Sequence, residues 1–276
     1  MQQILTQSLY RLDLSYVGSA YTGFQSQPSG TTVQDHLERA LATFCRHQVR
    51  ITAASRTDTG VHAEHQVVTF KTSSELDLFR IVKGLNALLP HDIRVMRAQC
   101  VKDDFHPIFN STGKLYRYWI WRSSGESPFV NPFAWQYTGE LDEDSIRRSL
   151  HHLIGQHDFS SFCAADSSAK SKVRRVRDIQ LFSRGPILEF WFLGDGFLKQ
   201  MVRNMVGTLV AVGRGKIGER DVKTILDGKN RTLAPPTAPA GGLCLARVFY
   251  GDDLSISALL EEQRSGYNLS LYDGWM

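Results

Sequence analysis

Apolar and polar positions change rhythm along this chain in a regular order. Tyr10, Leu12, Leu14 and Tyr16 alternate with Arg11, Asp13 and Ser15, the period-two pattern of a half-buried strand. Val33, Leu37, Ala40, Leu41 and Phe44 then recur at helical spacing, and Thr32 with Asp35 reads as a capping box at the start of that helix. Val49, Ile51 and Ala53 alternate with Arg50 and Thr52, and Val67, Val68 and Phe70 follow, which places two strands around a polar loop. Leu78, Ile81, Val82, Leu85 and Leu89 predict a second helix closed by Pro90, and Ile93 with Val95 a further strand. The order is β-α-β-β-α-β, the ferredoxin-like unit in which two helices cover one face of an antiparallel sheet.

The rest of the chain repeats that order. Residues 112–121 predict a strand and 144–154 a helix with Ile146, Leu150 and Leu153 on one face. A hairpin follows at 173–183 and 187–193 around Arg184-Gly185-Pro186, then an amphipathic helix at 197–212 and a last strand at 243–250. The expected fold is α+β, a mixed, mostly antiparallel sheet built from two ferredoxin-like halves, residues 1–110 with the polar loop and residues 111–250. Element order carries this duplication, and two unrelated α+β domains would give the same string. Residues 251–276 mix acids with Tyr267, Leu271, Tyr272 and Trp275 and read as a tail that packs on a partner subunit or frays.

Composition narrows the class. A chain of 276 residues with 42% hydrophobic content can bury a large core. No run approaches the ~20 apolar residues of a membrane span, and the first six residues lack the basic and long apolar parts of a signal peptide, so a cytosolic location away from membranes is expected. Cys45, Cys100, Cys163 and Cys244 lie far apart, without the close pairs of zinc sites, and read as reduced, mostly buried thiols. The formal net charge of +4 is small, yet Lys170, Lys172, Arg174, Arg175 and Arg177 concentrate cations, with Arg203, Arg214, Lys216 and Arg220 on the next elements. Such a run neutralises phosphates or simply faces solvent.

The loop between the two strands holds the chemistry. Ser55-Arg56-Thr57-Asp58-Thr59-Gly60-Val61-His62 presents one carboxylate on a segment braced at both ends, which suits a reactive group. A local Asx-type turn, with Gly60 at positive φ, reads from the same residues. Arg56 and Asp58 are two positions apart, so an extended loop points both the same way.

The loop resembles the Arg-Thr-Asp-x-Gly-Val-His signature of the tRNA pseudouridine synthase A family, and four further segments match in collinear order. Gly23-Phe24-Gln25-Ser26-Gln27 is similar to its Gly-(Trp/Phe)-Gln-x-Gln, and Lys114-Leu115-Tyr116-Arg117-Tyr118 to its Tyr-Arg-Tyr strand. Residues 197–207, with Met201-Val202-Arg203, resemble its Phe-Leu-x-x-Met-Val-Arg helix, and 238–245 its closing Ala-Pro-Ala-x-Gly-Leu-x-Leu. The resemblance spans residues 23–245. It implies the pseudouridine synthase fold with a central basic cleft and an isomerase that converts uridine to pseudouridine in the anticodon stem-loop of tRNA, at positions 38, 39 and 40. It also implies a homodimer whose partner is tRNA rather than DNA.

Asp58 is then the catalytic carboxylate, Arg203 its counter-cation, and Tyr116 the aromatic that stacks on the target uracil. Arg56 is the candidate for holding the flipped-out nucleotide; a salt bridge within its own loop is the competing use. Breaking the glycosidic bond builds positive charge on the sugar, which one carboxylate stabilises without metal or cofactor, so neither is expected. Attack on the anomeric carbon, addition to uracil C6 and removal of a sugar proton all remain open routes for Asp58. An RNA-binding or chaperone protein using the same cleft is the alternative, although a binder has no use for a carboxylate facing phosphates. A glycoside hydrolase would want a second carboxylate, which the matched motifs do not supply.

Two other signals lack their context. Gly213-Arg214-Gly215-Lys216-Ile217-Gly218 fits G-x-G-x-x-G but follows a helix, so it reads as a helix stop. His62 and His65 have H-x-x-H spacing without a third ligand. The chain also departs from the family: Pro107-Ile108 stand where Ala-Arg is common, and Ser26 where many members carry a base, which removes expected RNA-facing cations.

Overall fold

In the computed structural model, which describes residues 7–251, 255, 256, 259 and 260, the strand expected at Tyr10 to Tyr16 is β1 (Ser8–Tyr16). It is paired on both edges, antiparallel to β3 (His62–Thr72) and to β4 (Ile93–Val101). The short β2 (Ile51–Ala53) lies antiparallel on the far edge of β3. The order β4-β1-β3-β2 is the ferredoxin-like arrangement.

Two helices complete this unit, each started by its own side chains. For α1 (Val33–Cys45), the Thr32 hydroxyl accepts from the Asp35 amide while the Asp35 carboxylate accepts from the Thr32 amide, the reciprocal box expected from the sequence. For α2 (Leu78–Leu88), Asp77 accepts from the Arg80 amide at 2.8 Å. Leu37 and Leu41 of α1 and Ile81 and Leu85 of α2 are fully buried. Among the described residues, chain contacts group those up to Ser111 with Cys244–Val248 as one compact unit, and Thr112–Leu243 with those from Phe249 as another. Within the first unit, Cys244 and Leu245 run parallel beside His62 and Ala63.

The second unit sets β5 (Gly113–Arg122), β9 (Ile187–Gly194), β8 (Val173–Arg184) and β7 (Gly155–Asp158) side by side, antiparallel throughout. The three-residue β6 (Trp135–Tyr137) joins the end of β5 in parallel. Its helices are α3 (Glu143–Leu150), α4 (Met201–Gly213) and α5 (Asp221–Asp227), and β10 (Leu243–Phe249) ends the described strands. An ion pair closes inside this sheet: Arg117 Nε donates to Glu189 at 2.5 Å, both side chains almost fully buried, with the guanidinium against the rings of Trp119 and Trp191.

Helix α4 differs from its expectation at both ends and around its circumference. It starts at Met201 rather than 197, because Gln200 takes a left-handed φ of 60° and cannot continue a helix backwards. Every residue of α4 except Arg203 is buried, so it is a core helix rather than an amphipathic one. It stops as the glycine run predicts: the Gly215 amide bonds the Val212 carbonyl at 2.8 Å and the Lys216 amide the Ala211 carbonyl at 3.0 Å, with Gly215 at φ 65°. That is a Schellman cap. The helix expected at 144–154 gives way after Leu150 to a 3₁₀ turn, His151–Leu153. All four cysteines are free, three buried and Cys100 exposed. Among the described residues no helix is long and apolar enough to cross a membrane. The tail residues Tyr267, Leu271, Tyr272 and Trp275 lie outside the described residues, as do residues 1–6.

Asp13, on the central strand, gives the first unit a pH-dependent element. Burial works against its charged form, but hydrogen bonds from His65 and Arg11 and the Arg11 charge outweigh it and hold the carboxyl below its ordinary value of 3.8. A depressed folded-state pKa stabilises the fold above the unfolded value, and that contribution disappears as pH falls through the folded value. Asp13→Asn is therefore expected to be less stable than the parent at pH 7, with the gap closing below about pH 4. Urea unfolding at a series of pH values measures it; a gap that persists at the lowest pH would contradict the linkage.

Candidate active site

Asp58 sits at the end of an extended segment whose exposure alternates: Ser55 and Thr57 are buried, Arg56 is exposed and Asp58 half-buried. Arg56 and Asp58 therefore face the same way, as their spacing predicts. Asp58 also opens a turn, its carbonyl accepting from the Val61 amide at 3.1 Å with Gly60 at φ 79°.

The segment is held from three sides. The fully buried Gln66 side chain donates to the Ser55 carbonyl at 2.7 Å and accepts from the Ser55 and Val67 amides. Tyr16 shares a 2.8 Å hydrogen bond with the Thr57 hydroxyl, and the Phe24 amide donates to the Thr57 carbonyl at 3.0 Å. The Gly18 amide donates to His62 Nδ1 at 3.0 Å, which fixes that buried ring as an acceptor at Nδ1. His65 Nδ1 likewise accepts, from the Val248 amide, while its Nε2 faces Asp13. The H-x-x-H pair is part of the sheet's hydrogen bonding, and no cluster of metal-ligating groups occurs among the described residues.

Two glycines permit this bracing. A Cβ on Gly18 would stand 2.0 Å from the Val61 carbonyl oxygen, and one on Gly23, at φ 93°, would stand 3.0 Å from that of Thr57. The Gly-Phe-Gln segment thus supports the Asp58 loop by backbone contact.

The other predicted residues belong to the second unit. Tyr116 is buried on β5, its ring 5.2 Å from that of Phe197 and edge-on to it. Tyr118, which the motif alone separated from Tyr116, has a different role. Its hydroxyl donates to the Pro239 carbonyl at 2.8 Å, and burial drives its pKa up, with the Arg203 charge opposing. Arg203 lies in the first turn of α4 and donates from Nε to the Ala238 carbonyl at 2.8 Å. Sequence reasoning did not single out Lys114, on the same face of β5 as Tyr116. Burial first, and then the charge of Arg174, pull its pKa down to about 8.

The basic run divides. Arg177 pairs with Asp195, and Lys172 and Arg174 donate to carbonyls of Ser167, Ser171 and Val173. Lys170 and Arg175 are exposed. Each departure from the family pattern has local work: Ser26 Oγ donates to Asp35 of the α1 capping box at 2.6 Å, and Pro107 opens a turn in which His106 Nδ1 accepts from the Ile108 and Phe109 amides.

The Asp58 loop, the strand of Tyr116 and the first turn of α4 thus carry the residues that the sequence motifs single out. The family described as tRNA pseudouridine synthase matches residues 14–110 and 150–251. This chain is 46% identical over 248 residues to a tRNA pseudouridine synthase A of Solidesulfovibrio magneticus, covering 87% of this chain and 90% of that protein. It is 41% identical over 240 residues to one of Pelobacter propionicus (87% and 98%) and 42% over 246 residues to one of Burkholderia cenocepacia (89% and 91%). A solved structure titled as a Cbf5-Nop10-Gar1 complex superposes with a TM-score of 0.34 and 11% identity over 91% of this chain and 54% of that one, too distant to carry an argument. The chain belongs to the tRNA pseudouridine synthase family, isomerases that act on tRNA.

Gly23→Ala is expected to cost about 1–3 kcal/mol, because the added methyl strains the left-handed backbone and presses on residues 57–59. Gly125→Ala, with open space around it, should be close to neutral. Urea midpoints of the two variants test this, and equal midpoints would remove the bracing role.

Proposed function

We propose that this chain isomerises uridine to pseudouridine in the anticodon stem-loop of tRNA, at positions 38, 39 and 40, with Asp58 as the catalytic carboxylate. The observation that carries the reading is the Asp58 loop itself, a carboxylate on a segment whose Ser55 and Thr57 are held by Gln66, Tyr16 and Phe24 within the family's signature. The bond from uracil N1 to the anomeric carbon breaks, the base turns, C5 bonds to the same carbon and loses its proton, and N1 takes up a proton in its place. No atom is gained, and the charge that develops on the sugar is what a fixed carboxylate opposes.

Arg203 serves as the counter-cation that keeps the carboxylate ionised once RNA excludes water. Tyr116 stacks on the uracil, and Arg56, exposed beside Asp58, holds the flipped-out nucleotide. The protein works in the cytosol as a homodimer, with tRNA contacting both copies and no metal or cofactor taking part.

Asp58→Ala is expected to abolish turnover on an unmodified anticodon stem-loop while leaving RNA affinity largely intact. Pseudouridine mapping at each uridine, beside a binding titration, measures both; normal turnover by this variant refutes the assignment. Tight binding without product in the parent protein would favour the RNA-binder reading. Replacing the exposed Lys170 and Arg175 by Gln should flatten the plot of log affinity against log salt by about 1–2 units if both meet phosphates. An unchanged slope would make the run a solvated surface.

A further inference from the structure

The loop between α5 and β10 crosses the first turns of α4 so closely that a Cβ on Gly207 would stand 2.1 Å from the Pro236 carbonyl oxygen. Arg203 and Ala238 meet there twice: the Ala238 amide donates to the Arg203 carbonyl at 3.2 Å, and Arg203 Nε donates to the Ala238 carbonyl. The next carbonyl, that of Pro239, is held by Tyr118. The orientation of the Arg203 guanidinium is thus tied to where residues 238 and 239 lie.

A polar network at the other end of the loop sets that position. Asn204, fully buried, donates from its amide to the Phe162 carbonyl at 2.7 Å, and its Oδ1 accepts from Arg231 at 3.0 Å and from the Thr237 hydroxyl at 2.6 Å. Arg231 also donates to Thr237 Oγ1 and to the Ala234 carbonyl. A cation beside a buried amide, tied to both arms of one loop, fixes that loop more firmly than neutral bonds alone.

We propose that Arg231 and Thr237, acting through Asn204, are positioning residues that hold the Ala238 carbonyl against Arg203 and so aim its guanidinium for the isomerisation. The inference rests on the role given above to Arg203. Loosening the clamp lets the guanidinium rotate about its side-chain bonds, a misplacement that lowers turnover without changing the bulk of the RNA contact.

Single-turnover release of tritium from uracil C5 in an unmodified tRNA transcript reads the effect. Thr237→Val should slow the chemical step roughly tenfold with RNA affinity unchanged, and Thr237→Ser, which keeps the hydroxyl, should restore it. The same Thr237→Val change should have little effect in an Arg203→Lys background, which keeps a cation but has no Nε–H for the carbonyl, because the two residues act as one unit. Equal slowing in both backgrounds, or no slowing in the parent, overturns the positioning role while leaving the Arg203 reading intact. Full turnover by Arg203→Ala sinks that reading, and this inference with it. Arg231→Lys, which keeps the charge but loses the fork, is expected to follow Thr237→Val. Should it fail to fold, Thr237→Val carries the test alone.

Discussion

The approach of one backbone to another, with no room for a side chain between them, governs the carboxylate loop. Thr57 is held by hydrogen bonds at its hydroxyl and its carbonyl, and the glycines at 18 and 23 let the supporting chain come that near. The Tyr16 and Gln66 side chains contribute to this bracing, and the amide-to-carbonyl contact from Phe24 adds a link with no rotamer freedom of its own. Stiffness here matters because a carboxylate aids a charged transition state only where its position is fixed beforehand. The β1 strand that carries Tyr16 is paired on both edges, so the support extends into the most ordered part of the unit.

The arginine of α4 is handled by the same principle in a different setting. In a helix buried at every residue but Arg203, that side chain stays partly exposed, and its Nε is satisfied by a loop carbonyl. The loop in turn depends on Asn204, whose amide and carbonyl are both engaged. Fully satisfied polar networks of this kind add rigidity, while a half-satisfied one would destabilise the core. Conformational order is thus purchased with buried polar groups in the second unit and with glycines in the first.

Much of this was legible in the sequence wherever a local rule and a buried face agreed. The Thr32–Asp35 box, the alternation of β1 and the Arg56–Asp58 spacing all follow from residue type and period, and tertiary packing does not contradict them. The legible part of α4 was its apolar run and its glycine stop; its start was not, because a left-handed Gln200 carries no sequence signal. Nor could β6 and β7 be read: one is three residues long and the other, Gly155–Asp158, has no apolar alternation, so both exist only through pairing with longer strands. The seven residues of α5 are too few to show a period. Tyr116 and Tyr118 share one strand face with equal right to be core, and their surroundings differ through residues distant in sequence: Phe197 beside the Tyr116 ring, and the Pro239 carbonyl, 121 positions away, at the Tyr118 hydroxyl.

Charge follows a related logic, in which the net value says less than how each cation is engaged. Arg177 is neutralised by Asp195, Lys199 by Asp166 and Arg148 by Glu219, and Lys172, Arg174 and Arg231 stabilise loop carbonyls. Cations tied in this way hold the fold's surface in shape and offer less to a polyanion than an exposed side chain does. Ser26 and Pro107 extend the point: the Ser26 hydroxyl steadies a helix cap, and Pro107 starts a turn whose amides bond His106. Net charge is therefore a poor guide to surface chemistry: at +4 overall, Lys170 and Arg175 still stand exposed while their neighbours Lys172, Arg174 and Arg177 are tied to the fold.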